Sequence, residues 1–209
     1  MTETWDLLES PAASAAYNMA LDEVLLRTAG QRGRPLLRVY AWLTPAISIG
    51  YFQKFPQSER AVVRRPTGGG LVYHGEDTTF TVVAPPGHAL HRATTAEAYR
   101  RIHDAVARVL GASLQAAGDL ARGQYECFQK PVAGDVVAGA RKLAGGAQRR
   151  NRDGMLHQGS IAAIISAQQL AGGFEVRFEA YRLTGEEQAM AVWLADGKYG
   201  TDRWTRRIS

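Results

Sequence analysis

The chain has 209 residues, 45% hydrophobic and 22% charged, a composition ordinary for one globular domain with a substantial core. Lys and Arg number 25 against 20 Asp and Glu, a formal charge of +5; the basic residues are scattered rather than run together, which argues against nucleic acid and suits acidic protein partners. One cysteine excludes an internal disulfide or a cysteine-rich metal site and fits a reducing cytoplasm, the acidic N-terminus is unlike a signal peptide, and no apolar run approaches the ~20 residues of a membrane span.

Trp5–Leu8 reads as a short strand. From Ser14 the apolar positions Tyr17, Ala20, Leu21, Val24 and Leu25 have helical spacing, and Gly30 and Gly33 are expected to end that helix. Strands are expected at Leu36–Tyr40 and Ala46–Tyr51 around a Thr44-Pro45 turn, then at Ala61–Arg65, Leu71–Tyr73 and Thr78–Val83. Thr94 with Glu97 has the form of a capping box, Ala98, Ile102, Ala105, Val106 and Val109 make one apolar stripe, and Gly111 is a stop. Further strands are expected at Asp135–Ala138, Lys142–Arg149 and Met155–Ile165. A last helix is expected over Thr184–Ala195, with Met190, Trp193 and Leu194 facing inward. Helices and strands cluster instead of alternating, which predicts an α+β fold with a mixed or antiparallel sheet flanked by helices, in one domain over residues 1–209.

Two features carry the chemistry. The first is Arg64-Arg65-Pro66-Thr67-Gly68-Gly69-Gly70-Leu71-Val72-Tyr73-His74, where three glycines interrupt a strand-rich stretch. Glycine lets backbone approach a ligand closely, and the flanking arginines suit a carboxylate, a phosphate or an acidic partner. No Gly-Lys-Ser/Thr follows, so this is not a P-loop. The second is Cys127, in a mixed, polar neighbourhood that reads as loop or strand edge, where a thiol near a cation is reactive. Lys142 lies fifteen residues on, a spacing that returns it to the cysteine if the chain folds back in a hairpin. His74 and His157 read first as hydrogen-bonding structural residues, with a Cys127–His pair left open. His88, His91 and His103 look like loop and helix-surface residues, and no metal-ligand spacing occurs, so no metal site is expected.

In chain order, Tyr17–Glu23, Ile49–Gln53, Arg64–His74 with Thr78–Thr81, Gly139–Gln148 and His157–Ser160 resemble the signature blocks of the biotin/lipoate protein ligase superfamily. The resemblance implies that superfamily's catalytic-domain fold, which is class II synthetase-like, without an accessory C-terminal domain. Glu126-Cys127-Phe128-x-x-Pro131 resembles the octanoyl-[acyl carrier protein]:protein octanoyltransferase branch, in which the cysteine carries the acyl group. That likeness implies Cys127 as nucleophile, with Lys142 favouring its thiolate. It implies an acyl tunnel lined by Gly68, Gly69 and Gly70 and bordered by Arg65, Tyr73 and His74. Gly145, Gly146 and Ala147 would form the opposing wall, with backbone N–H groups there for an oxyanion, and His157 would lie at the substrate. Implied partners are acyl carrier protein as donor and a lipoyl domain as acceptor, of a glycine-cleavage H protein or a 2-oxoacid dehydrogenase E2. The enzyme would be a cytoplasmic monomer needing no cofactor. The alternative within the superfamily is a lipoate-protein ligase catalytic subunit using ATP, magnesium and lipoate with a separate accessory chain. Between Ile165 and Thr184 the chain is shorter than the superfamily pattern, which bears on acceptor recognition.

Overall fold

The computed structural model describes residues 2–116 and 131–208. The chain begins with β1 (Thr4–Glu9), α1 (Ala15–Arg27), α2 (Ala29–Arg32), β2 (Leu36–Tyr40), β3 (Ala46–Ile49), β4 (Ala61–Arg64), β5 (Val72–His74) and β6 (Thr78–Ala84). It continues through α3 (Ala89–Arg92), α4 (Thr95–Leu110), β7 (Ser113–Leu114), β8 (Val136–Ala138), β9 (Arg141–Asn151) and β10 (Gly154–Ile161). It closes with α5 (Ala167–Ala171), β11 (Arg177–Ala180), α6 (Gly185–Leu194), a π-helical turn (Ala195–Tyr199) and α7 (Asp202–Thr205). Among the described residues, eight strands form one sheet in the order β11-β1-β2-β6-β10-β9-β8-β7, and three form a second, β4-β3-β5. Strand β1 runs parallel to both its neighbours, and from β2 onward every pairing in the large sheet is antiparallel. In the small sheet β3 is parallel to β4 and antiparallel to β5. This is the α+β fold with a mixed sheet that the clustering of elements predicts.

The large sheet is covered on both faces, and its central strands say so in sequence. Leu-Leu-Arg-Val-Tyr of β2 is buried at every residue. Alternate side chains divide between two cores, because successive residues of a strand point to opposite faces. Leu36 and Tyr40 join the core under α1 and α6, while Leu37 and Val39 join the one under α4 and α5. Arg38 faces α1, and its charge is met by Asp22 at 2.7 Å with both side chains fully buried. Asn18 adds a backbone and a side-chain acceptor at 3.0 and 2.7 Å. Removing either member of such a pair strands a buried charge, at a cost of about 3–5 kcal/mol.

Helix α4 starts where the sequence places it. The Thr94 hydroxyl accepts from Glu97 N, and the Glu97 carboxylate accepts from Thr94 N, a cap worth about 1 kcal/mol. Ala98, Ile102, Ala105 and Val106 form its buried face, and Gly111 ends it. His103 departs from expectation: it is fully buried, not on the helix surface. It lies one residue from Ile102 and two from Ala105, inside the arc of side chains that faces the sheet. Helix α1, capped by Ser14, ends at Arg27; Gly30 lies inside α2, and it is Gly33 that closes that second helix. Trp193 is 67% exposed, whereas Leu194 is 3% exposed and Met190 only partly buried. Glu187, Ala191 and Leu194 occupy the inward face instead. Glu187 tolerates burial because Thr28 and Tyr181 donate to its carboxylate at 2.8 and 2.9 Å. Trp193, two residues after Ala191, is carried about 200° round the helix to solvent. The strand expected to reach Ile165 ends at Ile161. No helix among the described residues is long and apolar enough to cross a membrane.

Candidate active site

The small sheet stands off one face of the large sheet, and the gap between them is a cavity with about 420 Å³ of atom-free space, its mouth included. Met19 of α1, Tyr40 and Trp42 at the end of β2, and Val72 of β5 give it an apolar lining. Gly145, Gly146 and Ala147 of β9 form one wall. Without bulky side chains that wall lets a flat or linear apolar group lie against the strand. Ser48, Arg65, His74, Lys142, Gln158 and Ser160 supply the polar groups.

Six of the residues implied by the sequence therefore meet at one cavity: Arg65, His74, Lys142, Gly145, Gly146 and Ala147. Strand parity keeps others away. On β10, Gln158 and Ser160 reach the cavity, whereas His157 points through the sheet toward α4. There it lies against Phe80, Tyr99 and His103 with ring centroids 5.7, 5.4 and 5.1 Å away. Gln158 is the residue that sequence reasoning missed, one position from His157 in the same block. It accepts from Thr67 at 2.7 Å and donates to Asp22 at 2.7 Å, tying the glycine loop to the buried Asp22–Arg38 pair. On β5, His74 turns inward, but Tyr73 is 49% exposed and lines a separate hollow with Arg60, Leu71 and Glu76.

The triple glycine does not line the cavity. Its carbonyls serve the preceding arginine: Arg65 Nη2 donates to Gly68 O at 3.0 Å and Gly70 O at 2.7 Å. Gly69 takes a positive φ of 84°, which a side chain would strain. Arg64, expected to add charge for a ligand, is fully buried and spent on backbone. It donates to the carbonyls of Gly50, Tyr51, Gln53 and Thr205, pinning the loop after β3 to the C-terminal helix.

Lys142 sits beside the glycine wall with its side chain 4% exposed, and its Nζ is 2.7 Å from Asp135 Oδ2. Asp135 is fully buried and is held by two more donors, the Tyr99 hydroxyl at 2.6 Å and Val132 N at 2.8 Å. The Gly146 N–H donates to the Tyr99 oxygen at 2.9 Å, so it is engaged within the protein rather than offered to an oxyanion. In the sequence Asp135 marks only the start of a strand, and its spacing of eight from Cys127 carries no signal. Cys127 itself lies outside the described residues. The described chain resumes four residues later at Pro131, next to the Val132 N–H that Asp135 binds.

On the opposite wall, His74 Nε2 is 2.6 Å from Ser48 Oγ and Nδ1 is 2.7 Å from Asp77 Oδ2. The imidazole stacks on Trp42 with centroids 4.0 Å apart. Burial, with Arg65 nearby, holds His74 below its ordinary pKa despite the hydrogen bond to Asp77, so it is neutral near pH 7. Burial alone would raise Asp77, but hydrogen bonds from His74, Ser160 and Gly75 N hold it below the usual carboxylate range. Among the described residues no group of three or more His, Cys, Asp or Glu side chains converges on a metal position.

A family model of the lipoyl protein ligase A/B catalytic domain matches residues 14–180. The chain belongs to this family. Among its relatives, the octanoyltransferase LipM of Moorella thermoacetica is 36% identical over 198 residues, spanning 86% of this chain and 72% of that one. The octanoyltransferase LipM of Bacillus subtilis is 29% identical over 273 residues, spanning 97% and 98% of the two chains. The fold is shared with solved structures. Lipoate-protein ligase A bound with ATP superposes with a TM-score of 0.76 at 23% identity, covering 99% of both chains. A bipartite lipoate protein ligase from Thermoplasma acidophilum superposes with a TM-score of 0.75 at 23% identity, covering 99% of this chain and 96% of that one.

Proposed function

We propose that this chain is an octanoyltransferase that takes an octanoyl group from acyl carrier protein, holds it as a thioester on Cys127 and passes it to a lysine of a lipoyl domain. The acyltransferase class follows from the family and from relatives that are octanoyltransferases. The single observation that carries the thioester reading is the Lys142–Asp135 pair at the glycine wall of an apolar cavity, beside the point where the described chain resumes after Cys127.

Each part of that site has a physical task. The apolar lining from Met19, Tyr40, Trp42 and Val72 removes an alkyl chain from water, each methylene contributing about 0.8 kcal/mol. A buried ammonium is stable only with a counter-charge, and Asp135 supplies it while fixing the direction of Nζ. A cation so held beside a thiol favours thiolate over thiol and raises the nucleophile's population at neutral pH. The thiolate attacks the donor thioester, and the carrier leaves as its own thiol. The acceptor amine then attacks the octanoyl-Cys127 thioester and leaves an amide. Thioester exchange is nearly isoergonic and amide formation is downhill, so the reaction requires neither ATP nor metal. The acceptor is the lipoyl domain of an H protein or an E2 subunit, and the formal charge of +5 suits acidic partners. The enzyme works as a monomer.

Intact-mass spectrometry after mixing with octanoyl-acyl carrier protein, without ATP, tests this. A hydroxylamine-labile octanoyl adduct is expected on the wild type and not on Cys127→Ala. Acylation of a lipoyl domain that required ATP and an accessory chain would replace the reading with a ligase subunit.

A further inference from the structure

We propose that the hollow beside Tyr73 holds the phosphopantetheine arm of the acyl donor, with the Tyr73 ring against the body of the arm and Arg60 on its phosphate. The proposal rests on the thioester reading and adds to it the donor's half of the site. The apolar cavity accounts for the acyl chain alone. Beyond the thioester sulfur the donor continues into two amides, a gem-dimethyl group and a phosphate, and these leave the acyl cavity at its Lys142 end.

The hollow has about 1220 Å³ of atom-free space, its open mouth included. It shares His74 and Ser160 with the cavity, so the two adjoin. Its inner end abuts the stretch that carries Lys142. Ser160 stands opposite Gly145 on β9, where a Cβ would fall against Lys142 Nζ, and Ala162 N donates to Leu143 O at 2.7 Å. Opposed residues of an antiparallel pair have Cα atoms about 5 Å apart, which puts this end beside the thioester of that reading. The lining then runs outward through Asp77, bonded to Ser160 at 2.6 Å and to His74 at 2.7 Å, and on to Tyr73. Arg60 follows, its guanidinium carbon 5.6 Å from the centre of the Tyr73 ring. At ordinary strand and side-chain spacings that succession covers on the order of 15 Å.

The arm matches the hollow in length and in chemistry. About thirteen bonds separate its sulfur from its phosphorus, roughly 15 Å when extended. A lysine side chain reaches only about 6 Å from Cα to Nζ, so the acceptor has no use for the outer half. Tyr73 is 49% exposed on β5, an edge strand of the small sheet, and offers an aromatic face to amides and methyl groups. Pro45 and Leu71 add apolar surface beside it. Arg60 is exposed and has no carboxylate at ion-pair distance among the described residues; a guanidinium suits a phosphate. Of the two carboxylates in the lining, Asp77 is committed to His74, Ser160 and Thr79. Glu76 is exposed and opposes the phosphate, which makes it a control of opposite sign.

The test is acylation of Cys127, read by intact mass, from donors of graded length. They are octanoyl-phosphopantetheine, octanoyl-pantetheine, which lacks the phosphate, and octanoyl-N-acetylcysteamine, which keeps only the first amide. Arg60→Ala is expected to raise the half-saturating concentration of octanoyl-phosphopantetheine about tenfold and to leave that of octanoyl-pantetheine within about twofold. Tyr73→Ala is expected to raise both about tenfold and to leave the N-acetylcysteamine thioester, which ends short of the ring, within about twofold. Glu76→Gln is expected to lower the value for the phosphate donor alone. The isolated octanoyl enzymes are then chased with a lipoyl domain, at a rate expected to stay near that of wild type. Equal losses with all three donors, no loss with octanoyl-phosphopantetheine, or a chase slowed as much as acylation overturns the assignment. Wild type acylated equally well by all three donors overturns it while the thioester reading stands. Wild type that forms no adduct with any donor fails the thioester reading first, and this proposal with it. All three side chains are exposed, so none of the substitutions opens the core.

Discussion

Lys142 Nζ and Asp135 Oδ2 are 2.7 Å apart in an ion pair whose lysine side chain is 4% exposed and whose aspartate side chain is fully buried. The two residues face each other because β8 and β9 form a hairpin, with Val137 opposite Lys142 and a register shift between Val136 and Val137. The same aspartate binds the Tyr99 hydroxyl of α4 and Val132 N. The pair therefore joins the glycine wall, a helix and the end of the chain segment that follows Cys127.

Asp135→Asn keeps the shape and removes the counter-charge. Stranding the Lys142 ammonium in a buried site is expected to lower stability by about 3 kcal/mol and to lower Cys127 acylation more than tenfold. Urea titration reads the first and intact mass the second. Acylation at the wild-type rate would show that Asp135 does nothing for the thiolate.

Gly145 and Gly50 are both tight, but against different neighbours. A Cβ on Gly145 would fall against Lys142 Nζ and Cε, the end of a flexible side chain. A Cβ on Gly50 would fall on the Gly69 carbonyl oxygen, which is backbone. Gly145→Ala is therefore expected to shift Lys142 off Asp135, lowering acylation with a stability loss of about 1 kcal/mol. Gly50→Ala is expected to cost about 3 kcal/mol or more, because the strand end and the glycine loop must part. Thermal unfolding beside acylation rates distinguishes the two.

His103 is buried beneath β9, its Nδ1 2.7 Å from Gly134 O, and burial lowers its pKa to about 4. Asp135 raises that value and Lys142 lowers it, both by less than burial does. The unfolded histidine titrates near 6.5, so neither state binds a proton above that pH and the site is then indifferent to pH. Below 6.5 the unfolded chain binds a proton that the folded one refuses, and stability falls until about pH 4, by about 3 kcal/mol in all. Urea midpoints measured between pH 7.5 and 4.5 should fall for the wild type. His103→Gln should flatten that part of the curve.

Thr67 and Gln158 hydrogen-bond at 2.7 Å across the cavity rim, and Gln158 reaches Asp22 beyond. Gln158→Leu leaves the Thr67 hydroxyl without its acceptor and takes one of three donors from Asp22 Oδ2, which keeps Tyr40 and Thr81, at a cost of about 1–3 kcal/mol. It also removes one of the glycine loop's ties to the large sheet, leaving that from Arg149 to Pro66 O. A lowered urea midpoint together with weaker octanoyl binding to the Cys127→Ala enzyme is expected. A midpoint change with binding intact would confine Gln158 to structure.

Element types were legible because the determinants are local. The capping box of α4, the apolar stripe behind it and the fully apolar central strands read directly from the chain. Trp193 and His103 were misplaced because one register position on a helix is 100°, and a buried Glu187 or a histidine on the apolar arc gives no sign of itself in composition. In the site, the blocks around His74, Lys142 and Gly145–Ala147 were readable as blocks. Which member of each block faces the cavity was not, since the face is fixed by strand parity and register. The blocks point to His157 where Gln158 and Ser160 are the residues at the cavity, and to Tyr73 where its neighbours Val72 and His74 point inward.

The sequence by itself determined the family, the α+β class and the segments that build the site, because spacing, caps and glycine blocks are properties of neighbours along the chain. Only the tertiary structure decided that Asp135 holds Lys142, that Arg64 is spent on backbone carbonyls and that His74 joins Ser48 to Asp77. Those partners stand 7, 141 and 26 residues apart in their pairs, and the hydrogen bonds of 2.6–3.1 Å between them exist only once β8 has paired with β9, the C-terminal helix has docked on β4, and β3 has paired with β5.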